Sequence, residues 1–352
     1  MAVTAFVLHL RGQGVAPARY GWDLEILRAG GKLLLEHRAI YDLDQQMRVH
    51  LAAGHGELAR FPFAYPPLLA IEIAPLAAVS NLAALAFVAV AGACILGWVA
   101  KKTAGSSWAA LAVTASFPGL AVFFAGQLAW LALGIFAVTT MLLKRERPLA
   151  AGAVASLLAY KPTLLVMVPA AFVMLPSRAR ALAGLAAGLA LELLVSLAVA
   201  PGATRAYPAA AAAFSRYVQS NPSLFDSVTW RTSLGAAGPL AIGACALAAA
   251  AWMWRSRADV EMVMATCVLA TLACAWHCLP YDYALVALPL FWLGKRLESR
   301  EVAAAAASLA LVSWSVIALP NRWLALALYP PVLVVFSVWL LRKADVVASR
   351  LP

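Results

Sequence analysis

From Tyr65 to Leu341 the sequence is a succession of apolar runs parted by short interruptions, at roughly 66–79, 82–100, 106–125, 128–143, 149–160, 162–176, 181–200, 236–254, 259–279, 283–294, 302–319 and 324–341. No single core can hide so many apolar residues. Of 352 residues, 64% are hydrophobic and 12% charged, against roughly 45–50% and 25% in a soluble domain, so much of this surface must face lipid. The chain therefore reads as an all-α, polytopic membrane protein with about 11–13 membrane segments, in one integral membrane domain over residues 1–352. Some of the segments are too short to cross a bilayer unaided, since a full crossing takes about 20 residues.

The formal charge of +11 raises nucleic acid as a partner. Its distribution excludes it: the Lys and Arg residues stand between apolar runs, as they do in cytoplasmic membrane loops. The clusters are Lys101/Lys102, Lys144/Arg145/Arg147, Arg178/Arg180, Arg255/Arg257, Lys295/Arg296/Arg300 and Arg342/Lys343. Two apolar runs separate each cluster from the next, so all six belong on one side, the cytoplasmic one. Cys94, Cys245, Cys267, Cys274 and Cys278 lie in or beside apolar runs without zinc-like spacing, which argues against a disulfide framework and a metal site.

Met1 to Leu10 is too short to span, reads as a truncated first helix or a misassigned start, and lacks the basic segment and A-x-A site of a signal peptide. Residues 11–64 carry seven Lys/Arg and six Asp/Glu and form the first polar loop or subdomain, placed on the extracytoplasmic side. That placement requires the run 66–79, with Pro66, Pro67, Glu72 and Pro75, to be a bent or partial crossing. Residues 201–235 form a second polar loop on the same side, while the Ala209 to Ala213 and Ala303 to Ala307 tracts read as helix filler.

The unusual polar residues collect on that side. Asp23, within Tyr20-Gly21-Trp22-Asp23-Leu24-Glu25, is placed either to take a proton from a hydroxyl held at the interface or to cap the helix that begins at Leu24. Asp42-Leu43-Asp44 has the D-x-D form of a metal-binding transferase motif but reads as a surface turn. Lys161, at a helix break between Tyr160 and Pro162, and Arg231, beside Trp230 in the loop with Asn221 and Ser223, are cations suited to a phosphate; snorkelling or plain solvation are the alternatives. In Trp276-His277-Cys278-Leu279-Pro280-Tyr281-Asp282-Tyr283, His277 and Asp282 stand five residues apart among aromatics, either as a reactive set or as a structural hydrogen bond. Glu72 and Glu192 sit in apolar runs with no assigned role. Aromatic rings that stack on sugars, cations that hold phosphates and a carboxylate that accepts a proton together suggest transfer from a lipid phosphate.

These residues resemble, in order and register, glycosyltransferase family 87: Asp23 after the first segment, Phe63-Ala64-Tyr65-Pro66-Pro67 with Ala74-Pro75-Leu76, Gly126-Gln127, Arg147-Pro148, Ala151-Gly152, Tyr160-Lys161-Pro162, Asn221-Pro222-Ser223-Leu224, Trp230-Arg231 and His277 to Tyr283. The resemblance implies a GT-C-like membrane enzyme that moves a sugar, usually mannose, with inversion from a polyprenyl phosphate to a hydroxyl of a glycolipid, glycan or other acceptor. It implies a bacterial cytoplasmic membrane with the site facing outward. Asp23 would be the catalytic base and His277 a catalytic partner. Lys161, Arg231, Gln127, Tyr65, Tyr281 and Asp282 would bind substrate. No nucleotide cofactor is expected, because the lipid phosphate is both carrier and leaving group. The competing readings are a transporter or lipid flippase, which would show charges near the midplane and an internal repeat, and an inactive scaffold of the same family. The enzyme requires Asp23, Lys161, Arg231 and His277 to converge on one cavity.

Overall fold

A computed structural model describes residues 20–348, except 107, 222–227, 305, 308–313 and 315–321. The Met1 to Leu10 stretch, Pro222 to Leu224 and most of the 302–319 run lie outside the described residues. Among the described residues there are helices and no strands. The helices are α1 (Trp22–Leu35), α2 (Leu43–Ala52), α3 (Pro67–Ala77), α4 (Asn81–Ala104), α5 (Trp108–Ala115), α6 (Phe117–Ala125), α7 (Ala129–Lys144) and α8 (Pro148–Ser156). They continue as α9 (Val168–Met174), α10 (Arg178–Val199), α11 (Pro201–Ser220), α12 (Trp230–Leu234), α13 (Gly238–Arg255), α14 (Val260–Cys274), α15 (Ala287–Gly294) and α16 (Arg322–Ala348).

Every described apolar run is helical, but few make one long helix. Four stretches are long and apolar enough to cross a membrane: α4, α10, the stretch Trp230–Arg255 ending in α13, and Leu326–Val347 within α16. A fifth arises if the bent pair α6 and α7 counts as one crossing. The remaining runs are shorter because proline and glycine divide them: Pro118 opens α6, Gly126 ends it, and Pro162 separates Pro148–Tyr160 from Pro162–Met174. With 11 residues, α3 rises only about 16 Å, too short for a full crossing. Leu240 and Leu247 on α13 stay 78% and 75% exposed, an apolar surface that suits lipid and that water would penalise.

The polar 201–235 stretch is not a loop. Five consecutive alanines, the best helix formers, sit within the 20-residue helix α11, which opens on Pro201 and buries no residue. Within the polar 11–64 stretch, α1 buries Leu24, Leu27 and Leu33, with Gly31 against Ile73 and Ala74 of α3 and Gly30 against the Phe63 ring.

Helix α14 is the axis of the bundle, buried along almost its whole length. At its start Glu261 receives Lys144 from the end of α7 (2.6 Å) and Lys295 from the end of α15 (2.9 Å), and Arg296 pairs with both Asp259 and Glu261. Two of the basic clusters thus meet at one end of α14. Its other end leads into the His277–Asp282 segment.

Helices α8 and α10 approach backbone to backbone. A Cβ on Gly152 would stand 2.0 Å from the Ala181 carbonyl oxygen, and one on Gly184 2.0 Å from that of Leu149, the small-residue packing that membrane helices favour. Gly184→Leu is expected to destabilise the protein by about 2 kcal/mol or more through overpacking. Gly202→Ala, where a Cβ meets open space, is expected to leave the thermal midpoint in detergent unchanged or slightly higher.

Candidate active site

The site is built on the break between α6 and α7, where the chain bends by 115°. Ser116 caps α6 by accepting the Gly119 N–H at 3.2 Å, and Gly126 ends it with φ +72°. The turn faces a second left-handed glycine, Gly21 (φ +84°), whose N–H donates to the Phe124 carbonyl at 2.7 Å. No side chain fits at Gly126, because a Cβ there would lie 2.7 Å from Cβ of Leu24. The start of α1 is thereby pinned to the break, and the Asp23 carboxylate meets the Gln127 amide in a hydrogen bond. Gly21, with no side-chain cap, is the N-cap of α1, and Asp23 stands inside the first turn, so Asp23 is not the cap.

Gln127 is buried and its side chain also hydrogen-bonds Tyr65. A second break lies alongside. Tyr160 donates its hydroxyl to the Leu128 carbonyl at 3.0 Å, which fixes Lys161 between the tight turns Leu157–Tyr160 and Pro162–Leu165. The Lys161 ammonium, 8% exposed, is 2.5 Å from the Asp282 carboxylate and 5.2 Å from the centre of the Tyr281 ring. Asp282 also accepts the Leu279 N–H at 2.9 Å, closing the turn Pro280–Val286. Sequence spacing pairs Asp282 with His277; the structure pairs it with Lys161.

The electrostatics follow from this enclosure. Burial pushes the Asp23 carboxyl up to about 6, opposed by the Gln127 hydrogen bond and the Lys161 charge and assisted by Asp282. Protein surrounds the Asp23 carboxyl closely enough to desolvate it, although the residue as a whole is only half-buried. Burial would lower the Lys161 ammonium, but the Asp282 carboxylate outweighs it and holds the group above its usual range. His277 is pushed down to about 4 by burial and by Lys161, so its imidazole is neutral at physiological pH. It meets the Phe214 ring edge-on at 5.7 Å. A cavity of about 290 Å³ is lined by Tyr65, Lys161, His277 and Trp276, with Tyr207 and Phe214 of α11 over it.

Asp23, Gln127, Tyr65, Lys161, Tyr281, Asp282 and His277 therefore converge. Arg231 does not: it is exposed on α12, and among the described contacts none joins it to this cluster. The segment before it is tied to the site through the backbone, the Val228 N–H donating to the Cys278 carbonyl at 2.8 Å. Asp42 caps α2, accepting the Asp44 and Gln45 N–H groups. Glu192 accepts the Ser156 hydroxyl at 2.7 Å. Sequence reasoning missed Tyr207 and Phe214, although their spacing of seven puts them on one helical face once α11 is recognised as a helix.

The sequence model of glycosyltransferase family 87 matches residues 63–280, more than half of the chain. The chain belongs to glycosyltransferase family 87. The family match spans Tyr65, Gln127, Lys161, Arg231 and His277, while Asp23, Tyr281 and Asp282 lie outside it. No curated protein and no solved structure matches the chain. Family membership makes the chain a glycosyltransferase with a sugar donor and an acceptor, in a membrane-embedded helical frame.

Removing one partner of the Lys161–Asp282 pair strands a buried charge. Asp282→Asn is expected to lower stability by about 3–5 kcal/mol, and Lys161→Met added to it to restore a large part of the loss. Denaturant unfolding of the two variants in detergent checks the pairing.

Proposed function

We propose that this glycosyltransferase is of the GT-C type and moves a sugar, mannose in our reading, with inversion from a polyprenyl phosphate to a hydroxyl of a glycolipid or glycan. The observation that carries the reading is the gathering of a carboxylate, Asp23, and a buried ammonium, Lys161, in one cluster beside the cavity that Tyr65, Lys161 and His277 line, at the end of α14 opposite the basic network. With the basic ends cytoplasmic, that cavity faces outward from a bacterial cytoplasmic membrane.

Asp23 accepts the proton of the acceptor hydroxyl as its oxygen attacks the anomeric carbon. The bond from that carbon to the phosphate oxygen breaks, and polyprenyl phosphate leaves with the electron pair. A single displacement of this kind inverts the centre. Gln127 keeps the carboxylate ionised and aimed, and Lys161 neutralises the phosphate, exchanging part of its contact with Asp282. Neutral His277 offers a hydrogen bond rather than a charge. The reading calls for no nucleotide cofactor. A lipid donor is supported by a separate cavity of about 580 Å³, mostly apolar in its walls, with Ser116 and Lys295 among the lining residues and Tyr283, the neighbour of Asp282, at one side.

Asp23→Asn is expected to reduce transfer of labelled sugar from synthetic polyprenyl-phosphate mannose by about 10²–10⁴-fold at equal protein level, with donor binding retained. In the parent protein kcat/KM is expected to fall as pH drops through about 6, because the base must be ionised. Gln127→Leu removes a hydrogen bond to the ionised form, so that limb moves to higher pH. His277→Gln leaves the limb in place, since His277 titrates near 4. Undiminished transfer by Asp23→Asn overturns the base assignment.

A further inference from the structure

The transfer step asks more of Asp23 than proximity, because a misplacement of about 1 Å costs about 10²-fold in rate. The hydrogen bond from Gly21 to Phe124 fixes where α1 starts; the rotation of the helix about its own axis needs a second hold. Turning a helix by about 10° moves a carboxylate about 5–6 Å from its axis by about 1 Å. Apart from Asp23 itself, the side-chain hydrogen bonds that join α1 to neighbouring elements, among the described residues, come from Arg28.

Arg28 stands about 140° round the helix from Asp23. Its Nε group donates to the Leu76 carbonyl at 2.9 Å, and its terminal nitrogens donate to the Val79 carbonyl and to the Glu25 carboxylate. Leu76 lies in the last turn of α3, where carbonyls lack partners within the helix and a cation faces the negative end of the dipole. Val79 lies in the turn that leads into α4. The Arg28 and Glu25 side chains are only 12% and 9% exposed, so the clasp is largely withdrawn from water. Its far side returns to the site: Leu85, near the start of α4, would lie 3.4 Å from a Cβ on Gly21 and 3.2 Å from one on Gly126. Contacts thus run from α1 through Arg28 to the end of α3, into α4, and back to the glycine junction where α1 begins, a closed ring that opposes rotation of the helix.

We infer that Arg28 is a positioning residue for the carboxylate: by holding the Leu76 and Val79 carbonyls it sets the rotation of α1, and with it the aim of Asp23 at Gln127 and the acceptor hydroxyl, without touching substrate. This rests on the reading of Asp23 as the base. A guanidinium suits the task because its donors lie in one rigid plane and hold several acceptors in fixed directions. A lysine in its place keeps a charge opposite Glu25, but as a point donor on a flexible stem it fixes no plane. Glu25 supplies the countercharge that a guanidinium so far withdrawn from water requires.

The test uses the full chain in nanodiscs and two variants: Arg28→Lys, and Arg28→Met combined with Glu25→Gln, which removes both charges and strands neither. Rates are taken per mole of protein that binds polyprenyl phosphate, so unfolded protein does not enter them. Each variant is expected to lower kcat for transfer from synthetic polyprenyl-phosphate mannose by about 10–100-fold with the affinity for polyprenyl phosphate unchanged. Each is also expected to move the acid limb of kcat/KM upward from about 6, because a carboxylate swung away from Gln127 loses the hydrogen bond that favours its ionised form. The deciding arm repeats Arg28→Lys in the Asp23→Asn background, where the change in kcat is expected to be less than about twofold, since residues that act as a unit are not additive. An equal loss in both backgrounds would overturn the inference, as would a kcat and an acid limb that stay at the parent's values, whether or not the thermal midpoint falls. The two levels separate cleanly: if Asp23→Asn alone transfers at the parent rate, the base reading fails whatever Arg28 does, and if Asp23→Asn is impaired while Arg28→Lys matches the parent, only the positioning role fails.

Discussion

Everything at the site depends on one interrupted helix. Had α6 and α7 run straight on, Gln127 would face a helix side and Asp23 would have no fixed partner. The interruption is held by a single backbone hydrogen bond from Gly21 to Phe124 and by two glycines whose positive φ admits close approach. A chain turn rather than a side chain therefore sets the position of the acid. The second interruption, at Lys161, is tied to the first through the Tyr160 hydroxyl on Leu128, so the carboxylate and the ammonium are placed by the same scaffold.

Lys161 and Asp282 show how a charge is stored in such a place. Neither ion would be stable there alone, and together they leave a cation whose partner can be exchanged but not removed. In the proposed function, an anion at Lys161 trades a carboxylate for a phosphate, with small net gain in the ground state. Weak ground-state binding of this kind is what catalysis favours, since only interactions stronger in the transition state raise the rate.

Much of this was legible in the sequence, and the rest was hidden for identifiable reasons. The helical class followed from apolar run length, and Gly126-Gln127 and Tyr160-Lys161-Pro162 stood out because glycine, proline and an isolated cation are rare combinations inside apolar sequence. Asp23 was ambiguous, since an acid near a helix start is equally a cap; only the geometry of Gly21 separates the two. His277 was matched with Asp282 by proximity in sequence, whereas the true partner of Asp282 lies 121 residues away, beyond any local pattern. Helix α11 was concealed by polarity, because a helix lying across the end of the bundle lacks the apolar length by which membrane helices are read. Arg231 was chosen for its charge, and charge alone does not say which way a short helix points.

The brevity of α14 gives the site its depth. Fifteen residues rise about 22 Å, while a hydrocarbon core measures about 30 Å. A helix that begins at the basic boundary and stops after that distance ends about 8 Å short of the far boundary. Trp276 and His277, which follow its end, line the cavity, so the floor of the cavity lies below that boundary, like the bottom of a well. For a glycosyltransferase this makes reach a selection rule: a sugar must be carried on something that can lower it into the well.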